Sequence, residues 1–124
     1  MKKSSHRVLL VDDDPDIGEM IRIILEYDGY LVEVTERGET AESLMRKQQY
    51  DVLIMDMFLS GLNGAEICAR LKEDKTLSTI PILMISAHPN AKELCLNAGA
   101  NDFIAKPFDM DELLAKVSRL VSAA

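Results

Sequence analysis

Hydrophobic positions along this chain follow two rhythms. Five short apolar runs, RVLLV at Arg7–Val11, LVEV at Leu31–Val34, VLIM at Val52–Met55, ILMI at Ile82–Ile85 and FIA at Phe103–Ala105, are too brief for helices. Most lack polar alternation, as expected of strands buried on both faces. The segments between them repeat their apolar residues at three- and four-residue spacing, which predicts helices. The first covers Pro15–Tyr27, with Asp14 as cap and Pro15 in the first turn. A second covers Gly38–Lys47, and a third follows Asn63 as cap, with Ile67 and Leu71 facing inward. The fourth runs from Ala91 to Ala98, closed by Gly99. The last starts after Asp109, with Glu112 three residues on in a capping-box pattern and Leu113, Leu114, Val117, Leu120 and Val121 on its apolar face.

Strand and helix alternate strictly, so the expected class is α/β: a five-stranded parallel sheet with helices on both faces and right-handed crossovers. Ligands of such sheets sit outside the carboxyl ends of the strands. Asp12, Asp13 and Asp14 follow the first strand, Asp56 the third, Ser86 the fourth, and Lys106 with Pro107 the fifth. Two carboxylates about 4 Å apart repel by roughly 4 kcal/mol at an effective dielectric near 20. A cation would offset that. An oxygen-rich set without Cys or His suits Mg²⁺, which takes one or two carboxylates, a carbonyl and waters. An aspartate in such a site can act as a nucleophile toward phosphorus, with Lys106 and the Ser86 hydroxyl stabilising the transferred group. Asp14 reads as a helix cap only.

Composition narrows the function. The chain has 124 residues, 48% of them hydrophobic, enough for one compact domain. Fourteen Lys and Arg against twenty-one Asp and Glu leave a net charge of -7, which argues against direct nucleic-acid binding. Cys68 and Cys95 have no CxxC spacing and read as small buried hydrophobes in a reducing, cytoplasmic setting. The basic start, MKKSSHR, leads into too short an apolar run for a signal peptide or membrane insertion. No G-x-x-x-x-G-K loop is present, which argues against direct ATP use. Met20, Met45, Met55, Met57, Met84 and Met110 read as core or near-core fillers, and KEDKT after Leu71 as a solvated helix end.

With these residues in place, the chain resembles the receiver domain of bacterial two-component response regulators, from Arg7 to about Val121. The resemblance implies a flavodoxin-like, doubly wound sheet of order 2-1-3-4-5 and a single receiver domain over 1–124, with no effector domain in the chain. It implies Asp56 as phosphoacceptor, Ser86 and Lys106 as its catalytic companions, and a Mg²⁺ site of Asp12, Asp13, Asp56 and the Phe58 carbonyl. Asp13 is the more direct ligand of the acidic pair. Ser86 and Phe103 take the switch positions, and Lys106–Pro107 is expected to be a cis peptide. The expected donor is a sensor histidine kinase or histidine phosphotransfer protein. The expected output is an unidentified protein docking on the face of helix 4, strand 5 and helix 5, with the domain a monomer or a phosphorylation-linked dimer.

Three departures from the family pattern stand out. Leu59–Ser60 replaces Met-Pro after the phosphoacceptor, although Gly64 is kept; Phe103 lacks the phenol of the usual tyrosine; and Phe58 and His88 flank the path of the hydrolytic water. A bulky Phe58 is expected to slow loss of the phosphoryl group, whereas His88 reads as a loop residue with no visible partner. Two other classes compete with the signalling reading. A phosphorylation-independent scaffold has no need of the acidic cluster, and a small Mg²⁺-dependent phosphohydrolase needs a second acid where Phe58 stands. The expectation is therefore a domain that assists its own modification and is not a turnover enzyme.

Overall fold

The computed structural model describes residues 6–59 and 62–122. The elements run β1 (Arg7–Val11), α1 (Pro15–Tyr27), β2 (Leu31–Thr35), α2 (Gly38–Lys47), β3 (Val52–Asp56), α3 (Gly64–Glu73), β4 (Ile82–Ser86), α4 (Ala91–Asn97), β5 (Asp102–Ala105) and α5 (Met110–Ser122). The five strands form one parallel sheet in the order β2-β1-β3-β4-β5, the expected doubly wound arrangement. A short antiparallel ladder between Phe58–Leu59 and Leu62–Asn63 interrupts the β3–α3 connection. Ser60, one of the departures noted above, and the basic residues 1–5 lie outside the described residues.

The period-two alternation of each strand divides the core into two layers. Leu9, Val11, Leu53, Met55, Ile82 and Met84 face a cluster completed by α2, α3 and α4, with Met45, Ile67, Cys68, Leu71 and Cys95 fully or nearly buried. Val8, Leu10, Val52, Ile54, Leu83 and Ile85 face the opposite cluster with Ile21 and Leu25 of α1 and Leu113, Val117 and Leu120 of α5. A one-residue slip of β1 would exchange apolar residues for apolar ones, so its register rests on side-chain shape and on the polar Arg7 and Asp12 that bound the run. Burial raises both cysteine thiols to about 11, in keeping with their reading as core hydrophobes.

Local chemistry sets the ends of the helices. The Asp14 carboxylate accepts from the Asp16 and Ile17 amides at 3.0 and 3.4 Å, and Asn63 Oδ1 accepts from the Ala65 amide at 2.8 Å. Gly99, at φ +104°, turns the chain out of α4 one residue earlier than expected, after Asn97. Two readings need correction. Met20 on α1 and Met110 at the start of α5 are about half exposed. The Lys72 ammonium is not simply solvated, since it donates to the Ser78 and Ile80 carbonyls at 3.2 and 3.0 Å and ties α3 to the following loop. Among the described residues, no helix is long and apolar enough to cross a membrane.

Candidate functional site

Asp12, Asp56 and Ser86 are the buried polar residues of the described chain, and all three stand at carboxyl ends of central strands or just beyond. Asp56 closes β3. Its Oδ1 accepts from the Phe58 amide at 2.9 Å and its Oδ2 from Lys106 Nζ at 2.6 Å. Lys106 follows β5; its backbone N–H donates to the Ser86 carbonyl at 3.0 Å and its peptide bond to Pro107 is cis. The fold thus brings together a carboxylate and an ammonium separated by 50 residues.

Asp12 shares the same lysine at longer range, with Lys106 Nζ 3.9 Å from its Oδ2. Its Oδ1 accepts from the Asp14 amide at 2.9 Å, whereas Oδ2 is buried without a hydrogen bond. Burial holds the Asp12 carboxyl above its ordinary value, against the lowering effect of the Asp14 amide; the charges of Asp56 and Asp13 push it up further, and Lys106 pulls it back. One lysine therefore serves two buried carboxylates.

The connection after β3 must pass close to Asp56. The Gly64 amide donates to the Met57 carbonyl at 2.6 Å, and a Cβ at Gly64 would lie 2.6 Å from the Asp56 carbonyl oxygen and 2.8 Å from that of Met57. Only glycine fits this approach. Ser86 Oγ accepts from the His88 amide at 3.0 Å, so the hydroxyl is engaged within its own loop. Phe103 is buried in the layer beneath α4.

A family model described as "Response regulator receiver domain" matches residues 8–118. The chain belongs to the response regulator receiver family. Among relatives of this receiver, the DNA-binding dual master transcriptional regulator RpaA of Synechocystis sp. is 35% identical over 117 residues, 93% of this chain and 48% of the relative. The DNA-binding response regulator MtrA of Mycolicibacterium smegmatis is 36% identical over 119 residues, 94% of this chain and 51% of the relative. The chain thus spans about half the length of these relatives. A solved structure assigned to a response regulator of Chloroflexus aurantiacus matches with a TM-score of 0.90 and 38% identity, covering 94% of this chain and 98% of that one. The receiver domain of sensor histidine kinase PA1611 from Pseudomonas aeruginosa matches with a TM-score of 0.87 and 31% identity, over 94% of this chain and 98% of that one; it was solved with a magnesium ion coordinated in its active-site cleft. Family membership favours neither the scaffold nor the phosphohydrolase alternative.

The donor set of this receiver fits a hard cation. Among the described residues, no three His, Cys, Asp or Glu side chains converge as a complete cage. Mg²⁺ asks for less, because it keeps several waters and uses one or two carboxylates. Asp12 Oδ2, buried without a hydrogen bond, is the kind of oxygen such an ion would satisfy.

His88, expected to be a loop residue without a partner, has two. The Phe58 ring, half exposed, meets the His88 ring at a centroid distance of 5.5 Å and an interplanar angle of 53°. His88 Nδ1 accepts from the Asn90 amide at 3.2 Å, which fixes the imidazole on its own loop. Phe58 and His88 belong to different loops and share no sequence period, so only the equivalent placement of the two residues, each two past a strand-end polar side chain, hinted at the contact.

Proposed function

We propose that this receiver accepts a phosphoryl group on Asp56 in a Mg²⁺-dependent reaction and that the modification switches partner binding. The observation that carries the proposal is the partly buried Asp56–Lys106 pair at 2.6 Å, with Asp12 beside it only partly neutralised. An Asp56 carboxylate oxygen attacks phosphorus, forming the acyl phosphate C–O–P linkage as the P–N bond to a donor imidazole breaks; the bonding pair leaves with that nitrogen. Lys106 orients the carboxylate before attack and supplies positive charge as the phosphoryl oxygens approach. Ser86 offers a hydroxyl from the adjacent strand end. When bound, Mg²⁺ would be held by Asp12, Asp13, Asp56 and the Phe58 carbonyl and would supply charge neutralisation to the transferring group.

The donor in this proposal is a sensor histidine kinase or phosphotransfer protein. An apolar cavity of about 390 Å³ beside Lys106, lined by Ile17, Met20, Ala87, Pro107 and Phe108, supports a protein donor, since it offers a seat for side chains next to the reacting atoms. The domain works without turnover on free substrates, in the cytoplasm, without direct nucleic-acid contact. Output passes through the face of α4, β5 and α5, where Ser86 and Phe103 relay the state of Asp56. The test is intact mass after incubation with a small phosphoryl donor, with and without Mg²⁺, for wild type and Asp56→Asn. A Mg²⁺-dependent gain of one phosphoryl group that the variant loses supports the proposal. Gain on the Asp56→Asn variant, or none on the wild type with Mg²⁺ bound, rejects it.

A further inference from the structure

The two aromatic rings at the mouth of the site are each hung from a reacting side chain. Asp56 Oδ1 holds the amide of Phe58, two residues on, at 2.9 Å; Ser86 Oγ holds the amide of His88, also two residues on, at 3.0 Å. The rings of Phe58 and His88 then meet across the gap between the β3 and β4 loops at 5.5 Å. The same two side chains face the place where a phosphoryl group on Asp56 would sit. Asp56 gains three acceptor oxygens, which compete for the Phe58 amide. Ser86 Oγ accepts from the His88 amide and keeps its O–H free to donate; a turn of the side chain toward the phosphoryl oxygens carries Oγ with it and slackens its hold on that amide.

We infer that the Phe58–His88 contact is a latch of the unmodified site: it is closed while Asp56 and Ser86 hold the two amides, and it opens when a phosphoryl group claims them. This inference rests on the phosphoacceptor reading of Asp56 and adds to it a regulatory element at the ends of β3 and β4. Interaction made only in the unmodified state opposes modification, by the same free energy with which modification opens it. The latch therefore sets how readily this receiver is switched on, and it changes the exposure of a large apolar ring at the rim.

The protein contains two histidines, His6 and His88, so the imidazole C–H resonances of His88 are assigned by a single His88→Asn variant. The experiment compares those resonances in wild type and Phe58→Leu, with Mg²⁺ alone and with Mg²⁺ plus beryllofluoride, a mimic of the phosphoryl group. Bound fluorine resonances report independently that the mimic is seated. With Mg²⁺ alone, Phe58→Leu is expected to move the His88 signals by removing the neighbouring ring current. With the mimic seated, the wild-type and variant signals are expected to converge. A ring-current difference that persists with the mimic bound overturns the latch while leaving the site reading intact. No bound fluorine signal in the wild type overturns the site reading, and the latch with it.

A second readout needs no spectrum of the variants. Phe58→Leu and His88→Asn should each tighten the apparent affinity for beryllofluoride severalfold, and the double variant should gain no more than either single one, because all three lose the same contact. Unchanged or weakened affinity in the single variants, or gains that multiply in the double, would overturn the proposal.

Discussion

Two aspartates of the sheet meet lysine in opposite circumstances. Asp102, at the start of β5, has two cations for one carboxylate: Lys116 Nζ at 3.2 Å and Arg119 at 3.5 Å, both from α5 and all partly in solvent. Asp56, at the end of β3, shares one ammonium with the buried Asp12, which keeps an oxygen without a hydrogen bond. The first arrangement is over-neutralised and holds α5 to the sheet edge. The second is under-neutralised, and it lies where further positive charge and a phosphoryl group can enter. Similar side chains thus serve cohesion at one place and chemistry at the other, and the ratio of cations to buried carboxylates decides which.

The comparison can be broken first at Lys106. Lys106→Met leaves Asp56 and Asp12 facing each other without the ammonium, and the Mg²⁺-free domain is expected to lose about 2 kcal/mol, below the usual cost of breaking a fully buried pair because the lysine is partly in solvent. Chemical denaturation without Mg²⁺ measures this, and phosphoryl gain by mass should fall sharply in the same variant. Gly64→Ala ranks next. Its Cβ would meet the Asp56 and Met57 carbonyl oxygens below 3 Å, so the loop must shift, with an expected loss of about 1–2 kcal/mol and slower modification of Asp56. A wild-type modification rate in Gly64→Ala would show that the loop can move without disturbing the carboxylate. The smallest effect belongs to Lys116→Ala, about 0.5 kcal/mol or less, since Arg119 still faces Asp102 and the pair is partly screened. A loss at Lys116 as large as that at Lys106 would erase the distinction between the two regions.

Much of this architecture was legible before any coordinates. The undivided apolar runs of β1, β3 and β4 mark strands covered on both faces, and Asp14, Pro15 and Asn63 mark helix starts that the side-chain caps bear out. The polar residues after the strands converge at one edge because a parallel sheet leaves them no other place. The remainder depends on distances that sequence does not encode. That a single ammonium bridges Asp56 and approaches Asp12, that the Ser86 hydroxyl is turned to its own loop, and that Phe58 touches His88 all follow from loop paths without hydrophobic period. Met20 and Met110 were misread for a related reason: a methionine on a helix fits the rim of the apolar face nearly as well as its centre, so spacing alone does not separate them.

In the metal-free domain the strand-end cluster has one ammonium for two buried carboxylates, and a bound cation would make up the difference. Burial and the neighbouring acids raise the Asp12 carboxyl above its ordinary value of 3.8, so its protonated form is favoured by folding. That contribution is complete below the ordinary value and disappears as pH rises through the raised one, leaving a charge that Lys106 only partly offsets. The most direct measurement is the unfolding free energy of wild type and Asp12→Asn at pH 7, each with and without Mg²⁺. Without Mg²⁺ the variant should be the more stable, by about 1 kcal/mol; with Mg²⁺ the wild type should gain stability and the variant should gain much less. A variant less stable than wild type in both conditions, with an equal response to Mg²⁺, would contradict the account.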